Sequence, residues 1–141
     1  MSSEATKTPR EVVLEWVAAY NARDAQALAE LYHEDATNHQ VAQGEPLVGK
    51  QQMLENFSAF FYAFPDNFTH VENLFESGEE WAILEWNGGA TWKGELDGMV
   101  PNGKSFRLRG CGFFRVVDGK IAFQRGYFDR ATWFSQLDIP H

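Results

Sequence analysis

Arg115-Val116-Val117-Asp118-Gly119-Lys120-Ile121-Ala122 is the stretch whose reading decides the fold. Two apolar runs flank an Asp-Gly dipeptide, the pattern of a two-residue type I′ turn between antiparallel strands. Such a turn pairs Val117 with Lys120, and the ladder then follows two residues at a time. Val116 falls opposite Ile121, Phe114 opposite Phe123, Gly112 opposite Arg125, Gly110 opposite Tyr127, and Leu108 opposite Asp129. Side chains alternate between faces, so this register gives one mostly apolar face with a polar end, Arg125, Tyr127 and Asp129 in a row. The other face carries Arg107, Arg109, Cys111, Phe113 and Arg115 with Gln124, Gly126 and Phe128. Glycine inside a strand marks a bulge or the close approach of a ligand or backbone. Gly110 and Gly112 are therefore expected to open space over Tyr127 and Arg125.

Upstream of the hairpin the pattern is helical. Pro9 opens a helix whose Val13, Trp16, Val17 and Tyr20 follow i, i+3, i+4, i+7 spacing. Asp24 is placed to cap a short second helix carrying Leu28, Leu31 and Tyr32. His33 to Gln40 reads as a loop with a short strand. A third helix is expected over roughly 50–64, with Met53, Phe57, Phe60, Phe61 and Phe64 on one stripe and Pro65-Asp66-Asn67 as its stop. Strands follow near 68–76 and 80–92, then the hairpin, then a short helix from Arg130. Helices followed by an antiparallel meander predict an α+β domain, helices packed on one face of a curved antiparallel sheet. Residues 1–8 are expected to be a flexible tail and 9–141 one domain. The open end of such a sheet is a common place for a small-molecule pocket.

Composition narrows the partners. The 141 residues are 44% hydrophobic and 15% aromatic, with 12 Phe and 5 Trp, enough for a core or cavity walled by rings. A formal charge of −8 disfavours nucleic acid as a partner. The single cysteine, Cys111, excludes an internal disulfide. Met1 to Thr8 carries no apolar run of the kind a secretory signal needs, and no stretch is long enough to span a bilayer. The expected compartment is the cytoplasm, with no membrane partner. His33, His39, His70 and His141 lack metal-ligand spacing, so no metal is expected.

Several motifs, in order, carry a family resemblance. Tyr32-His33-Glu34-Asp35-Ala36-Thr37-Asn38-His39 looks like the segment after the second helix in the SnoaL-like polyketide cyclase family. Gly98-Met99-Val100-Pro101-Asn102-Gly103-Lys104-Ser105-Phe106 is similar to that family's connection before its third long strand. Phe114 to Ile121 resembles its hairpin, and Asp129 with Ser135-Gln136-Leu137 resembles its ending. The resemblance runs from about Arg10 to Leu137. It implies the nuclear transport factor 2-like superfamily: a cone-shaped α+β fold with a deep apolar pocket, a homodimer, and chemistry without metal or organic cofactor. It further implies an aspartate general acid/base at Asp129 and a pocket asparagine at Asn38. Polar residues on the family's third long strand fall here on Gly110 and Gly112.

The chemistry so implied is proton transfer at carbon next to a carbonyl, for cyclisation or isomerisation of a small hydrophobic substrate. A carboxylate among Tyr127, Phe128, Trp133 and Phe134 costs desolvation energy unless it is used or paired. Asp129 is thus the catalytic candidate, with Asn38, His39, Tyr127 and Arg125 as donors to a developing enolate. Trp16, Tyr20, Phe57, Phe61 and Trp133 are the expected walls. Each polar residue has a plainer alternative. Asp129 is also placed to cap the last helix, Arg125 to neutralise Asp129, and Asn38 and His39 to form a turn. Two other functions stand beside the cyclase or isomerase. One is a binding or accessory domain without catalysis. The other is an epoxide-type hydrolase, which requires a second pocket carboxylate such as Glu85.

Overall fold

The computed structural model describes residues 6–140; Met1–Ala5 of the expected tail and His141 lie outside the described residues. Helix α1 (Pro9–Asn21) begins in a capping box, Thr8 accepting from the Glu11 amide while Glu11 reaches back to Thr8. Asp24 caps α2 (Ala25–Glu30) through the Ala27 amide. Helix α3 (Lys50–Ala63) carries the aromatic stripe, and α4 (Arg130–Gln136) closes the described chain.

Six strands form one curved, open sheet: β1 (Tyr32–Gln40), β2 (Leu47–Val48), β3 (Phe68–Ser77), β4 (Trp81–Thr91), β5 (Ser105–Val117) and β6 (Lys120–Phe128). Their spatial order is β2-β1-β6-β5-β4-β3. The α+β architecture is as expected, with two refinements. The segment after α2, read as a loop with a short strand, is a nine-residue strand throughout. It pairs parallel with β6, so the sheet is mixed rather than wholly antiparallel. Nothing in a single sequence announces that long-range parallel pairing.

The Asp118-Gly119 turn forms as read, with φ of 53° and 78° at its two residues. Val117 pairs with Lys120 and Val116 with Ile121, but Arg115 then pairs with Phe123. Ala122 is an extra residue, a β-bulge that reverses the facing of everything beyond it. The true pairs are Phe114–Gln124, Phe113–Arg125, Gly112–Gly126, Cys111–Tyr127 and Gly110–Phe128. The expected register is therefore corrected. Gln124, Gly126 and Phe128 turn toward the helices, and Arg125 and Tyr127 turn to the outer face. There the Arg125 guanidinium lies over the rings of Phe113 and Phe123, at 5.7 and 5.5 Å. Nor do the strand glycines open space over Tyr127 and Arg125. A Cβ at Gly110 would meet the Trp86 ring at 2.5 Å, so that volume is occupied.

Two apolar clusters lie between helices and sheet. The first gathers α1, α2 and α3 onto the sheet through Val13, Trp16, Leu28, Phe57, Leu84 and Phe114. The second joins the end of α3 to β5 and α4 through Phe64, Trp92, Phe106, Trp133 and Leu137. Phe60 and Trp86 pack against both, and the interior is hollow where the clusters meet. Phe114 is 1% exposed, with Trp16 edge-on to it at 5.4 Å. Phe114→Ala should cost about 3–5 kcal/mol, read as a lowered midpoint in urea unfolding with little change in slope.

Candidate functional site

The hollow is a cavity of about 150 Å³, a volume able to hold a benzene-sized group. Its walls come from α1 (Trp16, Tyr20), α3 (Phe57, Phe60), β4 (Leu84, Trp86), β5 (Phe106, Leu108, Phe114) and α4 (Trp133). Aromatic faces of α1 and α3 point inward because the helical period that buries Trp16 also turns Tyr20 against it. Those two rings stack 5.0 Å apart.

Amides supply the cavity's polarity. Asn38 and Gln40 reach it from β1, Gln124 from β6, and Asn67 from the loop before β3. Asn38 and Gln124 are neighbours across the parallel β1–β6 ladder, and each is only 4% exposed. A hydrogen-bonded chain runs behind them. The Trp16 indole N–H donates to the Tyr32 hydroxyl at 2.9 Å, and that hydroxyl donates to Gln124 Oε1. Gln40 Nε2 donates to Asn38 Oδ1 at 2.9 Å, and the same Gln40 amide fills the space a side chain at Gly126 would need. Burial pushes the Tyr32 phenol's pKa up, more than the Trp16 hydrogen bond lowers it, and burial does the same for Tyr20. Both phenols stay protonated at neutral pH. Among the described residues, no carboxylate, histidine, lysine or arginine lines this cavity.

The expected site residues divide accordingly. Trp16, Tyr20, Asn38, Phe57, Gly112 and Trp133 line the cavity. Phe61 is buried behind it, against Tyr20 and Phe57. His39 stands beside Arg125 in the β1–β6 ladder, away from the cavity. Gly110, Tyr127 and Asp129 border a separate, shallow depression on the other side of the sheet, with Glu85, Arg109 and Cys111. Asp129 is exposed and is the N-cap of α4, accepting from the Thr132 amide at 3.2 Å and the Thr132 hydroxyl at 2.8 Å. Glu85 is exposed on the outer face, bonded to Asn73. Near it Arg109 and Asn87 hold the Glu72 carboxyl below its ordinary pKa.

Gln124, Gln40 and Tyr32 are cavity or second-row residues that sequence reasoning missed. The signal for Tyr32 was its place at the end of α2's apolar spacing. For Gln124 it lay in the register, which the bulge conceals.

Residues 10–137 match the SnoaL-like polyketide cyclase family. The chain belongs to that family. It is 27% identical over 135 residues to the aklanonic acid methyl ester cyclase DnrD of Streptomyces peucetius, covering 94% of this chain and 92% of that protein. Two solved structures share the fold. AclR from Streptomyces galilaeus superposes with a TM-score of 0.80 at 22% identity, covering 94% of this chain and 97% of AclR. A phenazine biosynthesis-related protein of Pseudomonas aeruginosa gives 0.77 at 23% identity, covering 94% and 86%. The SnoaL-like fold thus supplies a small-molecule pocket, here lined by rings and neutral amides.

The placement of Asp129 predicts a structural phenotype. Asp129→Ala should lose the cap and cost about 1 kcal/mol, whereas Asp129→Asn keeps an acceptor and should cost less. Thermal unfolding of the two variants beside the parent protein measures the difference.

Proposed function

We propose that this SnoaL-like domain takes a small, largely apolar carbonyl compound into the aromatic cavity and promotes a cyclase- or isomerase-type rearrangement of it. The observation that carries this reading is the cavity itself: rings on most walls, neutral amides between them, and no charged group among the described lining residues. An uncharged lining suits a neutral ligand, because a buried ion there would have no partner to offset its desolvation.

The resemblance assigns proton transfer to Asp129. Its exposed position outside the cavity, bonded to Thr132, supports capping instead. The geometry therefore favours a mechanism in which the protein folds its substrate and polarises a carbonyl, over proton abstraction by a buried carboxylate. Holding reacting atoms in an attack geometry is itself worth several orders of magnitude in rate. A domain that binds without catalysis is the second reading, favoured by the same lack of a carboxylate in the lining. An epoxide-type hydrolase finds no support, since Glu85 faces outward. The homodimer belongs to this proposal too. Its interface would be the outer sheet face, where Phe75, Ile83, Phe113 and Arg125 form one cross-strand row.

Two measurements on the parent protein and Asp129→Asn test the reading. Aromatic ketones titrated against tryptophan fluorescence should bind both proteins within about twofold of each other. Deuterium incorporation from heavy water into the same ketones then reports proton transfer. Exchange that persists in Asp129→Asn fits the proposal, and exchange that vanishes while binding is intact returns the acid–base role to Asp129. Binding without exchange in either protein favours the second reading; absence of binding across the ketone panel overturns the proposal.

A further inference from the structure

We infer that Gln124 and Asn38 form a two-donor cradle for a ligand's carbonyl oxygen, with Tyr32 as the positioning residue that fixes the direction of the Gln124 amide. The inference rests on the proposed carbonyl-binding pocket and specifies where in it the oxygen sits.

Donor and acceptor bookkeeping fixes the direction. An indole N–H can only donate, and a phenol has a single hydrogen. Trp16 Nε1 lies 2.9 Å from the Tyr32 hydroxyl, which must therefore act as acceptor there. The hydroxyl's own hydrogen remains for Gln124, which has to present its oxygen. Rotating the Gln124 amide by half a turn would set an NH₂ group against the phenol hydrogen and leave that hydrogen without an acceptor. Because burial keeps Tyr32 protonated, the constraint holds across the working pH range. Gln124 Nε2 is thereby turned away from Tyr32.

Asn38 completes the pair from the adjoining strand. It is the ladder partner of Gln124, its Oδ1 is taken by Gln40, and both residues line the cavity. Neither Gln124 Nε2 nor Asn38 Nδ2 meets a protein acceptor among the described residues. Both residues are only 4% exposed and line the cavity, so an oxygen acceptor entering it would find both donors free of protein partners. Two NH₂ groups in a lining that holds no cation among the described residues match a neutral oxygen acceptor, that of a ketone, quinone or ester. The apolar body of the ligand then lies against Phe57 and Phe114, which flank Trp16 at 6.5 and 5.4 Å.

The test uses two probes of nearly equal shape, acetophenone and α-methylstyrene, in which C=O is replaced by C=CH₂. Both are titrated into the parent protein, Gln124→Leu and Tyr32→Phe, and the carbonyl stretch of bound ¹³C-labelled acetophenone is recorded in each. In the parent protein the stretch should lie below its value in an apolar solvent. Gln124→Leu should weaken acetophenone about tenfold relative to α-methylstyrene and move the stretch back up. Tyr32→Phe frees the amide to rotate and should give a smaller change of the same sign, about threefold, while α-methylstyrene binding is kept. If Gln124→Leu fails to fold, Tyr32→Phe decides by the same two readings. Unchanged ratios and an unchanged stretch overturn the cradle and leave the pocket reading standing. Failure of both probes to bind the parent protein overturns the pocket reading itself.

Discussion

One inserted residue governs the site. The bulge at Ala122 sits two residues beyond the hairpin turn, and every side chain of β6 after it points to the face opposite from that dictated by simple alternation. Without it, Phe123, Arg125 and Tyr127 would face the helices, placing a guanidinium within the interior. With it, the interior receives Gln124, Gly126 and Phe128, and Arg125 is left between two rings on the outer surface. A buried, unpaired guanidinium costs several kcal/mol, far more than one disrupted ladder bond. The bulge therefore determines whether the cavity is charged or neutral.

The neutral outcome fits the rest of the molecule. The chain carries a net charge of −8, yet its ion pairs lie on the surface. Arg109 pairs with Glu72 at 2.7 Å, and Arg115 with Glu80 at 2.9 Å. Exposed pairs of this kind contribute little to stability, and they leave the interior to rings and amides. Amides suit this position because each can satisfy one partner in the protein and keep a donor for something else. Gln124 does so through Tyr32, and Asn38 through Gln40.

Most of the architecture was legible in the sequence because it is written in local signals. The caps at Thr8 and Asp24, the aromatic stripe of α3 and the Asp-Gly turn each depend on residues within a few positions of one another. What was not legible depends on distant pairing. Strand β1 is polar along much of its length, with His33, Glu34, Asp35 and Thr37, and it is a strand because β6 lies beside it. The register of β6 was misread for a sharper reason. The alternation that fails, Phe123 and Tyr127 inward, is the more hydrophobic of the two, so periodicity favours the wrong face. Cavity residues on helices, Trp16, Tyr20 and Phe57, were found because helical spacing has no bulge to displace it.

The same distinction bears on Asp129. Its sequence context, a carboxylate among Tyr127, Phe128, Trp133 and Phe134, suggests a desolvated acid in a hydrophobic pocket. In the fold those rings are distributed to different sides. Trp133 and Phe128 border the cavity, Tyr127 is on the outer face, and the carboxylate stands at the start of α4 bonded to Thr132. Proximity in sequence is not shared burial where a strand ends and a helix begins, since the chain direction changes between one residue and the next. A base acts only within hydrogen-bond reach of the proton it removes, and Gln124 and Asn38, not Asp129, stand at the cavity surface. On the proposed reading, the chemistry of the cavity is therefore set first by these amides and by the shape of the aromatic walls that would hold a ligand against them.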